Sequence, residues 1–284
     1  MNQLSFCKFH GFGNDYIVIE KRDLDDTASI SEIAVQICQR HTGAGADGIA
    51  MLETLDGGEA DHYCEIVNPD GSIASFSGNG TRCAAAYLYY KGLWKDPVLR
   101  LKTKSGVKNY RLIENIGTRG YWFEAEIGKP LFASGDVPVR SADPKADAIG
   151  RTISVGVRKI EFSAVNVGNP VACVFVDNFE FNWRSIGRAM ETHEVFPERS
   201  NIVFVKVLDD SNIAIRIWER GAGETASSGT CCSGTVVVAA KMGKTGRHVS
   251  VHTVGGVTEV NWRDDGEILL TGRADLAYCG EWLY

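Results

Sequence analysis

Two serines at the starts of apolar helices stand where side chains could do chemistry. Ser77 closes the loop in "NPDGSIASFSGNGTRCAAAYL", and Ser228 closes the loop in "WERGAGETASSGTC". Each is followed by a glycine and a polar residue, Gly78 and Asn79 in the first case, Gly229 and Thr230 in the second. A helix start exposes free N–H groups and partial positive charge, so it cradles an anion such as a carboxylate. One serine in such a place is most simply an N-cap. Two such loops in one chain suggest more. Two facing helix ends would clamp one carboxylate and set two side chains on opposite faces of the same carbon. That arrangement suits removal of a proton from one face and delivery of a proton to the other.

Charged and amide side chains lie close to these loops in sequence. Glu219 and Arg220 end an alternating run just before the second loop, and Asn68 occupies the matching place before the first. A Glu–Arg pair on a surface is worth little by itself. A carboxylate on one side and an amide on the other, however, suit a polar, asymmetric ligand. Asn14, Asn169 and Asn201 sit beside glycines or strand ends, where each alone reads as a turn residue.

The elements that must position these groups repeat. "EIVNPDGSIASFSGNG" lies over "RIWERGAGETASSGTC" at a shift of 151 residues, and "LKTKSGVKNY" over "VHTVGGVTEV" at 150. "GNDYIVIE" (13–20) lies over "GNPVACVFV" (168–176). Matches in the same order point to duplication, with a period too long for a solenoid. We expect two homologous domains, 1–118 and 119–284, with a hinge near 114–120 and a last strand able to pack back on the first domain. Each half reads as strands (4–9, 14–20; 158–166, 171–176), a helix (30–40; 182–191) and further strands (48–53, 63–67; 201–207, 212–218). The glycine loop, a second helix (79–91; 229–242) and closing strands (98–113; 249–271) follow. Apolar alternation bridged by short glycine turns favours mainly antiparallel pairing. "AAAYLYY" and "TVVVAA" are apolar nearly all round, as a helix inside a curled sheet must be. The fold class expected is α/β (α+β), two curled sheets each around a central helix.

Composition narrows the function. The chain has 284 residues, 44% hydrophobic and 23% charged, with net charge -6 and scattered Lys and Arg. Nucleic acid is therefore not an expected partner. No apolar run is of membrane-spanning length and the N-terminal stretch lacks a signal-peptide plan, so a cytoplasmic protein is expected. The eight cysteines are dispersed, which reads as reduced, mostly buried thiols rather than a disulfide framework. No metal is expected, since "HVSVHTV" around His248 and His252 alternates like a strand. "GAGADG" (43–48) fits G-x-G-x-x-G, but a helix precedes it and a strand follows, the reverse of a dinucleotide site. No phosphate-binding P-loop is present.

The chain resembles the diaminopimelate epimerases over nearly its whole length. The stretches that carry the likeness are "FCKFHGFGNDYIVIE", "TGAGADGI", "VNPDGSIASFSGNGTRCAAAYL", "VNVGNP", "FPERSNIVFV", "WERGAGETASSGT" and "LTGRADLAYCGEW". The resemblance implies a cofactor-independent enzyme that interconverts L,L- and meso-diaminopimelate, with a small amino-acid substrate in a cleft between two similar domains, and a homodimer as a common assembly. It implies substrate binding by Asn14, Asn68, Gly78, Asn79, Asn169, Asn201, Arg220, Gly229 and Thr230, and catalysis at positions 77 and 228 with Glu219.

At the catalytic positions the chain departs from the family pattern. The family's two bases are cysteines at the places held here by Ser77 and Ser228, and its usual His after "GNP" is Val171. A thiol has a pKa of ~8.5, whereas a hydroxyl is a far weaker acid, about 7 units higher and close to bulk water. The difference is about 10 kcal/mol in access to the anion, beyond the ~2 kcal/mol a helix terminus supplies. Cys83, Cys231 and Cys232 lie about one turn into the helices, too far in to substitute. The open alternatives are an epimerase working by other means, another isomerase or dehydratase, an amino-acid-binding protein, or serines introduced to trap a complex.

Overall fold

The computed structural model describes residues 3–25, 27–74 and 76–284. The chain forms two compact units, Met1–Ala125 with Thr271–Tyr284, and Glu126–Leu270. The first holds β1 (Gln3–Gly11), β2 (Asn14–Glu20), α1 (Ile30–Ile37), β3 (Gly48–Thr54), β4 (His62–Val67), β5 (Ile73–Ala74), α2 (Gly78–Tyr90), β6 (Val98–Thr103), β7 (Gly106–Ile116) and the start of β8 (Gly120–Gly128). The second adds β9 (Arg151–Val155), then β10 (Arg158–Asn166), β11 (Pro170–Phe175), α3 (Trp183–Glu191), β12 (Asn201–Asp209), β13 (Asn212–Glu219), β14 (Gly223–Thr225), α4 (Gly229–Lys241), β15 (His248–His252), β16 (Val257–Trp262) and the start of β17 (Ile268–Leu283).

Strand pairing repeats between the units. β1–β2 and β10–β11 are antiparallel, β2–β3 and β11–β12 parallel, β3–β4 and β12–β13 antiparallel, β4–β6 and β13–β15 parallel, β6–β7 and β15–β16 antiparallel. The sheets are thus mainly antiparallel, with parallel joins where a helix intervenes in the chain. Stretch 114–120, read as a hinge, forms the end of a hairpin in which Ile116 lies opposite Gly120.

Burial explains the sequence pattern. In β2, Tyr16 and Val18 pack with α2, while Ile17 and Ile19 pack with α1. In β11, Val171 and Cys173 pack with α4, while Ala172 and Val174 pack with α3. These strands are covered on both faces and so read as continuous apolar runs. α2 is buried from Asn79 through Leu88 and α4 from Cys231 through Ala239. An outer helix such as α1 needs only one apolar face, which Ile33, Ala34 and Ile37 provide.

Some expectations need correction. α1 stops at Ile37 rather than near 40. The last strand does not end at 271; it runs to Leu283, and Asp275–Leu283 pairs antiparallel with β1. That register sets Cys7 opposite Cys279, Cα atoms 4.0 Å apart, and the two form a disulfide. The expectation of eight reduced thiols is therefore wrong for this pair, because facing residues of an antiparallel ladder bring Cβ atoms within bonding reach. The other six cysteines are free and buried. No helix is long and apolar enough to cross a membrane among the described residues.

Candidate active site

In the first unit the candidate residues are carried by β2, the turn after β4 and the start of α2. Ser77 is the extended N-cap residue of α2 and its Oγ accepts from the Gly80 N–H at 3.0 Å. The same Oγ lies 2.8 Å from the Tyr16 hydroxyl, with either atom able to donate. The Tyr16 ring fits because Gly48 and Gly80 lack side chains; a Cβ on either would come within 2.9 Å of it. Gly78 differs, since a Cβ there meets nothing nearer than 3.9 Å. Packing does not demand a glycine at 78, which leaves open space at the helix start.

A chain of hydrogen bonds fixes the amides. The Arg82 guanidinium donates to Asn79 Oδ1, Asn79 Nδ2 donates to Asn14 Oδ1 at 3.0 Å, and Asn14 Nδ2 donates to Asp47 Oδ2 at 2.7 Å. Behind them, Arg40 bonds both Asp47 and Asp15, and Lys8 pairs with Asp15 at 2.8 Å. Burial pushes the Asp15 carboxyl up, but hydrogen bonds from Arg40 and Lys8 outweigh it and hold the group below the ordinary carboxylate value. Asn68 is a turn residue, its Nδ2 donating to Ser72 Oγ at 2.9 Å.

In the second unit the equivalent residues are wired differently. Ser228 is the N-cap residue of α4 without a side-chain cap bond. Its Oγ instead donates to Glu219 Oε2 at 3.2 Å, with Thr230 Oγ1 at 3.5 Å. Glu219 Oε1 accepts from Thr225 Oγ1 at 2.6 Å. Burial pushes the Glu219 carboxyl above its ordinary value, opposed by the Thr225 and Ser228 bonds. Consecutive residues at a strand end turn to opposite sides. Arg220 accordingly turns away from Glu219, donating to Asn169 Oδ1 at 2.9 Å and to the Glu198 carbonyl at 3.1 Å. Asn201, buried, accepts from the Arg220 N–H at 2.9 Å and donates to the Pro170 carbonyl at 2.9 Å. Arg220, Asn169 and Asn201 thus form one cluster, and Glu219, Ser228 and Thr230 another. At Gly229 a Cβ would come within 2.9 Å of Leu270.

Among the described residues no thiol replaces the serines, since the six cysteines outside the disulfide are all buried. Burial pushes the Cys83 thiol up to about 12, and burial pushes the Cys231 thiol well above its ordinary value, next to Glu219. Val171 is fully buried against α4, where a Cβ on Gly234 would lie 3.0 Å from it. Tyr16, Thr225 and Asp47 touch site residues but are absent from the sequence reading. Tyr16 lay in a strand run, and only the parallel register beside Gly48 shows which way it points.

Comparison with known proteins gives consistent matches. The family model described as diaminopimelate epimerase matches residues 6–121 and 163–277. A diaminopimelate epimerase of Caldanaerobacter subterraneus subsp. tengcongensis is 38% identical over 280 residues, covering 98% of this chain and 99% of that protein. One from Methanocaldococcus jannaschii is 36% identical over 289 residues, covering 97% of each. Among solved structures, a hydroxyproline epimerase from Agrobacterium vitis superposes with TM-score 0.70 at 14% identity, over 99% of this chain and 91% of that one. A PhzF-family phenazine biosynthesis protein of Bacillus anthracis gives TM-score 0.70 at 17% identity, over the full length of both. At such identities the two structures attest the fold.

Proposed function

The chain belongs to the diaminopimelate epimerase family, and on that premise we propose that it is a cofactor-independent isomerase inverting an amino-acid α-carbon, with diaminopimelate as substrate. The observation that carries this reading is the hydrogen bond from Ser228 to Glu219. A serine need not become a free alkoxide when an adjacent base takes its proton as it takes another. Ser228 Oγ receives the substrate's α-proton while its own proton passes to Glu219. A buried carboxyl with a raised pKa is suited to hold it. Ser77 serves the opposite face. The N–H groups of Gly78, Asn79, Gly229 and Thr230 bind the α-carboxylate. Arg220, Asn169 and Asn201, with Asn14 and Asn68, hold the substrate's polar groups.

The test is incubation with L,L-diaminopimelate in heavy water, following the α-proton by NMR. Exchange with inversion is expected. Binding without exchange would refute the reading and favour an amino-acid-binding protein, for which the loss of both cysteines and of His at Val171 is the favouring observation.

A further inference from the structure

The internal repeat assigns each serine a different partner. Asn14 and Asn169 both follow a glycine turn, so Tyr16 in β2 and Val171 in β11 occupy equivalent places. Both belong to the cluster around the central helix of their own unit. Asn68 and Glu219 are likewise equivalent, after β4 and at the end of β13. In the second unit Val171 is apolar and Glu219 bonds Ser228. In the first, Asn68 is turned to Ser72, and Tyr16 bonds Ser77 at 2.8 Å. Among the described residues, Ser77 has a phenol partner in Tyr16 and Ser228 a carboxyl partner in Glu219, drawn from complementary strand positions.

We propose that Tyr16 is the positioning partner of Ser77 in proton transfer, the counterpart of Glu219 for Ser228. The inference rests on the isomerase reading above. Gly80 N–H occupies one lone pair of Ser77 Oγ. With Tyr16 donating to the second, the Ser77 hydrogen is free for delivery to the α-carbon. With Tyr16 accepting, that second lone pair is free to receive the α-proton. The pair therefore has one arrangement for each role. In delivery, the Ser77 proton moves to the carbanionic α-carbon, the Tyr16 proton moves to Ser77 Oγ, and a phenolate remains. In abstraction, the α-proton moves to Ser77 Oγ and the Ser77 proton to the phenolate. Exchange with water resets the pair between turnovers. Phenols ionise near ~10 and water-like hydroxyls far above that, so the phenol is the group that carries the charge.

The test uses initial α-proton washout in heavy water from L,L- and from meso-diaminopimelate, for the full chain, Tyr16→Phe and Glu219→Gln. Phe keeps the ring between Gly48 and Gly80 and removes only the hydroxyl. Tyr16→Phe should slow washout from one epimer on the order of 10²-fold, with KM little changed, and Glu219→Gln should slow the other epimer more. Site-specific 3-fluorotyrosine at position 16, which preserves shape and makes the phenol more acidic, should shift the ratio towards proton delivery by Ser77. Unchanged rates, equal slowing of both epimers, or a loss confined to KM would overturn the role of Tyr16 while leaving the isomerase reading intact. No washout from either epimer by the unaltered chain would overturn both.

Discussion

Thiols placed separately at the two serine positions should titrate far apart. A free thiol ionises near ~8.5, and a helix start lowers that by up to ~2 kcal/mol, or about 1.5 pKa units. In Ser77→Cys the sulfur inherits two donors, the Gly80 N–H at 3.0 Å and the Tyr16 hydroxyl at 2.8 Å from the present oxygen. Both favour a thiolate. In Ser228→Cys the neighbour is Glu219 Oε2, now 3.2 Å from the hydroxyl. Two like charges about 4 Å apart repel by ~4 kcal/mol at an effective dielectric near 20, which is about 3 units. The thiol at 77 should therefore fall below the free value and the thiol at 228 rise above it, once Glu219 is ionised. The assay is the pH dependence of iodoacetamide alkylation, read against the unaltered chain. Its background is low because burial pushes the Cys83 thiol up to about 12 and the Cys231 thiol well above its ordinary value. Equal values, or a lower value at 228, would refute the claim that Glu219 is the charged neighbour of Ser228.

Other perturbations test the rest of the frame. Because burial holds the Glu219 carboxyl above its ordinary value, its stabilising contribution is full below the unfolded pKa of ~4.3 and is lost as pH rises through the folded value. Glu219→Gln should therefore be the more stable protein at pH 7 and lose that advantage at pH 4 in paired urea melts; lower stability at pH 7 contradicts the burial argument. Val171→His should not restore a family-like site, since Val171 is fully buried against Gly234; it should cost ~1–3 kcal/mol in a urea melt through overpacking, and an unchanged midpoint contradicts the packing. A thiol reagent on the unfolded chain should count six thiols before reduction and eight after. Eight before reduction would deny the Cys7–Cys279 bond.

The repeat made much of this legible from sequence, because duplicated halves must reuse one set of strand pairings. The central helices were readable from "AAAYLYY" and "TVVVAA", where apolar residues on every side leave no face for water. The partners of the serines were only half readable. Glu219 lies nine residues before Ser228, whereas Tyr16 lies sixty-one residues before Ser77 and meets it only where α2 packs against β2. The Cys7–Cys279 bond spans 272 residues and depends on the register of β1 with β17. Such contacts arise from tertiary pairing, and no local pattern encodes them.

On the proposed two-base reading, the exchange of partners between the halves gives the reaction a direction. Inversion across a carbon needs an acceptor on one face and a donor on the other at the same moment. Two identical partners would share one resting state and would have to be driven apart. A carboxyl and a phenol differ in ordinary acidity, near ~4.3 against ~10, so a carboxyl gives up its proton at lower pH and a phenol keeps its proton to higher pH. Groups set apart in this way identify the acid and the base. In that proposal Ser228, backed by the carboxyl, starts as acceptor, and Ser77, backed by the phenol, starts as donor. Washout at pH 7 should accordingly be faster from the epimer whose α-proton faces Ser228, which is the epimer that Glu219→Gln slows most. Proton inventories on the two epimers provide the check. If the epimer favoured at pH 7 is instead the one that Tyr16→Phe slows, the phenol is the resting base and the assignment is reversed.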